Sequence, residues 1–280
     1  MSTHQEALAP LATPVPTTTA VRKNVLAPIA ANLPAVAFLI LLLVAWEAYV
    51  RVFEVHEFIL PAPTAVWDVI VNQYPNLLRH TWVTTNEIVL GFVIGNVAAV
   101  IMAVVIANSA LAERIFYPII IASQTIPKIA IAPLFLIWFG TGMQPKVIIT
   151  AVVCFFPTVV NTVQGLRSLD PNAVNLLRLV AASRSQIFLK LQFPNALPYF
   201  FAGLRISIAL AVIGAIVGEW VGASEGLGYL VMYSTQTLRT DLMFAALVFI
   251  AALGMVLYLV VVLIERLVSW DSSNTPIGGL

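Results

Sequence analysis

The stretch "LVAASRSQIFLKLQFPNALPYFFAGLRIS", residues 179–207, decides how the chain is read. It is basic and two-faced, carries Pro194 and Pro198, and then turns into an apolar run long enough to cross a bilayer. On a helical wheel Leu176, Leu177, Val180, Ile187, Phe188 and Leu191 fall within one apolar arc, while Asn175, Arg178, Ser185, Gln186 and Lys190 lie outside it. A helix resting on the membrane surface would show the same pattern. The two prolines fix the angle of the exit into the next span, and they favour a segment that docks against another body and passes on its displacement.

The rest of the chain supplies the membrane. Of 280 residues 60% are hydrophobic and 10% charged, and the mean hydropathy of +0.97 lies outside the range of soluble domains. A net charge of +1 gives no basic face for a phosphate backbone, so nucleic acid is excluded as a partner. The single cysteine, Cys154, sits in an apolar run and reads as a small buried hydrophobe. Residues 1–27 are rich in Pro, Thr and Ala and read as a disordered tail, 28–270 as the transmembrane domain and 271–280 as a second tail. Arg22 and Lys23 come too late for a cleavable leader.

Six stretches are apolar enough to span: roughly 34–52, 86–107, 115–138, 145–163, 199–221 and 242–264. The third contains Pro118, Pro127 and Pro133 and is expected to kink or break. With a cytoplasmic N-terminus the inner segments hold Arg22, Lys23, Arg114, Arg167, Arg178, Arg184, Lys190 and Arg266, against Arg51, Arg79, Lys146 and Arg239 outside. The positive-inside rule then puts both termini and the 164–198 loop in the cytoplasm. Pro63 opens an expected interfacial helix with Val66, Val69 and Ile70 on one face. Small residues recur every fourth position at Gly91, Gly95, Ala99 and Ala103, and again at Gly214, Gly218, Gly222 and Gly226, which is the pattern of close helix packing.

Several motifs in order resemble one family. "LPAPTAVW" (60–67), "IPKIAIAPLFLIWFG" (126–140), "GLRSLDP" (165–171), "AASRSQIFLKLQFPNALPYFFAGLRI" (181–206) and "GEWVGASEGLGYL" (218–230) are similar to the permease subunits of ATP-binding-cassette importers, in the branch for nitrate, sulfonates, taurine and vitamin precursors. The resemblance covers about residues 35–270 and implies an all-α, MetI-like type I importer permease fold in a bacterial inner membrane. The family's cytoplasmic signature, EAA, three residues, Gly, nine residues, Ile, one residue, Leu-Pro, aligns on Pro194 with Asn175, Leu176, Leu177, Ala181 and Leu191. This assigns Asn175, Leu176, Leu177, Ala181, Ile187, Phe188, Leu191 and Pro194 to a coupling helix that docks on a separate ATPase subunit. Asn175 stands where the signature is acidic, and Ala181 where it has the glycine of a sharp turn, a turn alanine is expected to make with a negative φ.

The resemblance implies further partners: an extracytoplasmic solute-binding protein and a second permease copy, most simply a homodimer. ATP and Mg belong to the ATPase subunit, since no G-x-x-x-x-G-K-[ST] loop occurs in this chain. No cofactor, metal site or catalytic role is expected here; HExxH is absent and His4, His56 and His80 are scattered. A secondary transporter is the rival class, and would need ionisable residues at a midplane site in repeated halves. Lys128 lies about 20 Å into the third span at 1.5 Å per residue, and reads either as a lining of the transport path or as a snorkelling side chain. Glu219 and Trp220 read either as part of an outer gate or as an interface cap. The sub-branch resembled handles riboflavin, thiamine pyrimidine precursors or similar heteroaromatic compounds, with nitrate, sulfonates and taurine as the alternative.

Overall fold

The computed structural model describes residues 27–268, with side chains from Pro34 onward; both predicted tails lie outside the described residues, save for residue 27. Among these residues the secondary structure is helical throughout, in eleven α-helices with short 3-10 and π segments: α1 (Ala27–Val52), α2 (Pro63–Asn72), α3 (Tyr74–Asn108), α4 (Ala110–Ser123), α5 (Ala132–Phe139), α6 (Met143–Arg167), α7 (Pro171–Leu179), α8 (Arg184–Ile187), α9 (Phe193–Gly222), α10 (Leu227–Gln236) and α11 (Thr240–Val268). The described residues fall into two compact units, divided between Trp46 and Glu47. In the first, side chains 34–45 are exposed all round, as lipid-facing apolar residues would be.

Five helical runs are long and apolar enough to cross a membrane, and α4 with Lys128–Phe139 forms a sixth, bent by 88°. The predicted third span is therefore not one rod. The break falls at 124–127, just before Lys128: Pro127 cannot donate to the ladder, and the 3-10 turn Lys128–Ile131 takes up the change of direction before Pro133 opens α5 from its first turn. The second span is also longer than expected, starting at Tyr74 in place of 86.

The second unit is organised around α3, α6 and α9, and the small-residue stripes explain why. A Cβ added to Gly95 would sit 2.4 Å from the Ala151 carbonyl oxygen, and one on Gly91 2.5 Å from Thr150 Cβ. From the other side, a Cβ on Gly214 would lie 3.1 Å from Thr150 Cα and one on Gly218 3.2 Å from Lys146 Cα. Helix α6 is thus clasped between two glycine faces, where close van der Waals packing replaces hydrophobic drive. A polar seam ties the same three helices: the Thr158 hydroxyl sits between Asn96 Oδ1 and Ser207 Oγ, and Ser207 Oγ donates to the Cys154 carbonyl at 2.8 Å. Cys154 is fully buried in this core, as its setting in the sequence predicts.

The helix opened by Pro63 buries Val66 and packs Val69 and Ile70 against Leu77, Leu230, Leu242 and Ala245, so its apolar face meets protein. Its first turn is held by Glu47, whose Oε2 accepts from the Thr64 N–H at 3.1 Å and whose Oε1 accepts from Arg51 Nε at 2.6 Å.

Candidate functional site

At one end of the α3–α6–α9 bundle lies the segment that holds α7 and α8. Asp170 caps α7 by accepting from Asn172 N–H at 2.9 Å, with Pro171 in the first turn. The helix ends in a Schellman motif: Ala182 N–H donates to Leu177 O and Ala181 N–H to Arg178 O, both at 3.0 Å. Ala181 occupies the left-handed position of that motif with φ +55°, so the expected negative φ is corrected. Both C-terminal hydrogen bonds require the left-handed turn, and the alanine adopts it despite its Cβ. Ser183 and Gln186 then form a capping box that starts α8.

The prolines do not stop the segment. From Arg184 to Gly222 the chain is one helical run of 39 residues. A π turn over Phe188–Gln192 precedes Pro194, and there Phe193 N–H reaches back five residues to Phe188 O. The wider turn makes room where a proline ring would otherwise crowd the carbonyl four residues earlier. Because the turn at 180–183 separates two helices, the six residues of the predicted arc do not share one face. Leu176 is exposed, Leu177, Ile187 and Leu191 are half-buried, and Phe188 packs on the protein's own core beside Val163 and Ala196. Asn175, Ala181 and Pro194 are exposed. The apolar tip that faces outward is Leu176, Leu179 and Val180, with Leu179 84% exposed. Leu179 is the residue the wheel missed, because a single continuous helix put it off the arc. Asn195 anchors the loop by donating to Gly165 O at 2.9 Å and Ser168 Oγ at 3.0 Å.

The break between α4 and α5 opens a cavity of about 450 Å³ lined by Gln124, Lys128, Phe156, Asn161, Ile206 and Leu210, among others. Lys128 Nζ donates to Ser123 O at 3.0 Å and stands 4.3 Å from the centre of the Phe156 ring. No carboxylate pairs with it among the described residues. The Asn161 amide donates to Pro157 O at 2.8 Å, which leaves its carbonyl oxygen for another partner. The cavity combines a cation, two amides and an aromatic face, a donor set for a planar solute with acceptor or anionic groups.

Glu219 and Trp220 are elsewhere. At the bundle end opposite the loop, Glu219 is 1% exposed and caps α10: its Oε2 accepts from Gly228 N–H at 2.5 Å and Tyr229 N–H at 3.2 Å, while Oε1 accepts from Thr84 Oγ1 at 2.6 Å. The next two N–H groups of the same helix start are met from α3, Leu227 by Thr84 Oγ1 at 2.8 Å and Gly226 by His80 Nδ1 at 3.0 Å. Four orphan donors of one helix terminus are satisfied by side chains of two other helices. Beside them Lys146 Nζ donates to Glu87 Oε1 at 2.5 Å, with both side chains buried. Trp220 is half exposed on another face. Lys146, expected in an outer connection, is instead a buried partner inside α6. Glu87 opened a predicted span, and an ionisable group in that position calls for a buried partner.

With this geometry in view, known proteins fix the class. Residues 95–270, well over half the chain, match the family described as binding-protein-dependent transport system inner membrane component, and the chain belongs to it. It is 38% identical over 217 residues to a probable ABC transporter permease protein of Haemophilus influenzae, covering 78% of this chain and 89% of that one. It is 39% identical over 193 residues to the formylaminopyrimidine transport permease of Halalkalibacterium halodurans (69% and 77% covered), and 36% identical over 240 residues to the riboflavin transport system permease of Chloroflexus aurantiacus (84% and 89%). In fold it is similar to a chain of the inward-facing MetNI methionine ABC transporter, with a TM-score of 0.60 at 21% identity over 70% of this chain and 98% of that one. The protein is a non-catalytic, multi-pass permease subunit of an ABC importer, a component that works with an ATPase and a solute-binding protein.

Proposed function

We propose that the protein translocates a small heteroaromatic solute, a flavin or aminopyrimidine vitamin precursor, delivered by an extracytoplasmic binding protein. The observation that carries this reading is the cavity at Lys128, where Phe156 offers a ring face and Gln124, Asn161 and Lys128 offer polar groups, joined to the similarity to formylaminopyrimidine and riboflavin permeases. Lys128 lines the path, two copies of the chain form it, and the 171–193 segment docks on the ATPase through Leu176, Leu179 and Val180. Both termini and that segment face the cytoplasm.

A second reading rests on one feature. The Lys128 ammonium, with no carboxylate partner among the described residues, favours an anion, and the chain is 29% identical to a putative aliphatic sulfonates permease of Bacillus subtilis. Uptake into proteoliposomes by the complete complex separates the two, with riboflavin, an aminopyrimidine and an alkyl sulfonate offered in turn. Transport of a neutral heteroaromatic compound that falls at least tenfold in Lys128→Met supports the first reading. Sulfonate uptake alone supports the second. Wild-type uptake by Lys128→Met at matched assembly removes Lys128 from the path.

A further inference from the structure

One face of α3 runs past two cavities of opposite character. Val100, Val104, Ala107 and Asn108 recur on that face at helical spacing, the first two lining one cavity and the last two the other. The cavity further into the bundle has a volume of about 360 Å³ and is walled by Val100, Val104, Leu166, Phe188 and Ala196, among others. Its one polar lining residue is Thr162, whose hydroxyl is buried and has no hydrogen-bond partner among the described residues. The cavity nearer the end of α3, of about 270 Å³, is lined by Asn108, Arg178, Arg184 and Gln192. The two cavities meet at the start of the π turn, where Ile187 lines the polar one and Phe188 the apolar one.

The left-handed turn at Ala181 separates the last turn of α7 from the first residue of α8 and brings Arg178 and Arg184 to one cavity from two helices. Neither guanidinium pairs with a carboxylate among the described residues. The neighbouring Arg167 does, being held by Glu113 and by the Ile106 carbonyl. Two unpaired guanidiniums lining one space repel until an anion lies between them, and phosphate is the anion whose oxygens match their forked donors two at a time. Asn108 donates to Val104 O at 2.8 Å, which leaves its carbonyl oxygen to accept from a hydroxyl.

We propose that the two cavities form one site for an anionic phospholipid, with the headgroup phosphate between Arg178 and Arg184 and an acyl chain against Val100, Val104 and Phe188. A free phosphate would need the polar cavity alone. The apolar cavity beside it, on the same face of a membrane helix, fits a chain joined to that phosphate, and basic pockets between membrane helices are recurrent sites for anionic headgroups. Thr162 is the one side-chain donor along the chain's path. The inference is independent of the solute and of the cavity at Lys128. Bound there, the lipid ties α7 and α8 to the end of α3.

The test uses the complete importer complex, purified in mild detergent and followed by native mass spectrometry with dioleoylphosphatidylglycerol or dioleoylphosphatidylcholine added at equal concentration. Phosphatidylglycerol should be retained on each copy of this chain, with a preference over phosphatidylcholine of about fivefold for each arginine, or about thirtyfold for the pair. Arg178→Gln combined with Arg184→Gln should abolish that preference. Arg178→Lys combined with Arg184→Lys should keep part of it, because the charge remains and the bidentate fork does not. Inorganic phosphate and deacylated glycerophosphoglycerol, each in large excess, should leave the lipid in place. Displacement by either would assign the site to a free phosphate and overturn the lipid. Equal retention of the two lipids by the wild type, or an unchanged preference in the double Gln variant, would overturn the site itself. Loss of the ATPase subunit from the double Gln variant with phosphatidylglycerol still bound would give the arginines to a carboxylate of that subunit, and would also overturn the proposal.

Discussion

Replacing Ala181 by glycine should strengthen the turn that joins α7 to α8. Ala181 holds φ at +55° to make both Schellman hydrogen bonds, Ala181 N–H to Arg178 O and Ala182 N–H to Leu177 O. An L-residue in the left-handed region costs about 1–2 kcal/mol from the approach of Cβ to the next carbonyl oxygen. Glycine removes that cost but adds about 0.4–1 kcal/mol of freedom to the unfolded segment, so the net gain is about 0.5–1 kcal/mol. The side chain is exposed, so no packing term intrudes. The loop sits at the bundle's edge and opens locally, which makes hydrogen exchange the right assay. Protection factors of the amides at 181 and 182 should rise about two- to fivefold in Ala181→Gly, corrected for the intrinsic rate of glycine. Ala181→Val should lower them, since a β-branched side chain tolerates this region least. Unchanged protection in Ala181→Gly, or Ala181→Val no worse than wild type, would refute the reasoning.

Gly95→Ala should cost roughly 1–3 kcal/mol in thermal unfolding, because its Cβ would meet the Ala151 backbone at 2.4 Å and neither helix can give way locally. Lys146→Met should cost about 3–5 kcal/mol by stranding the Glu87 carboxylate, and the double change with Glu87→Leu should recover most of that loss. Leu179→Asp should reduce co-purification of the ATPase subunit with little change in the permease's unfolding temperature, whereas Phe188→Asp should lower both, since Phe188 packs on the protein's own core.

The number of spans, the break in the third, the packing role of Gly91, Gly95, Gly214 and Gly218 and the helical character of 171–193 were legible, because each follows from local composition and period. The left-handed Ala181 was half legible: the signature marks a turn there, but only the carbonyls of Leu177 and Arg178 dictate its sign. The π turn before Pro194 left no mark in composition. The Glu87, Lys146 and Glu219 cluster was the least legible part. Lys146 is 59 residues from Glu87, and Glu219 is 135 from Thr84, so only the folded bundle reveals that residues at three separate span ends share one site.

Helix α9 ends within three residues of Glu219, and the same helical run begins at Arg184, so about 50 Å of rod separates the loop from the cap at 1.5 Å per residue. A tilt of about 5° about the loop would carry Glu219 some 4 Å, roughly the length of a hydrogen bond plus a bond. Helix α10 is held by Thr84 and His80 on one rod and by Glu219 on another, and a displacement of that size cannot leave both grips closed. The short helix therefore behaves as a shear pin between two beams: it stays seated while α3 and α9 travel together and is let go when they slip.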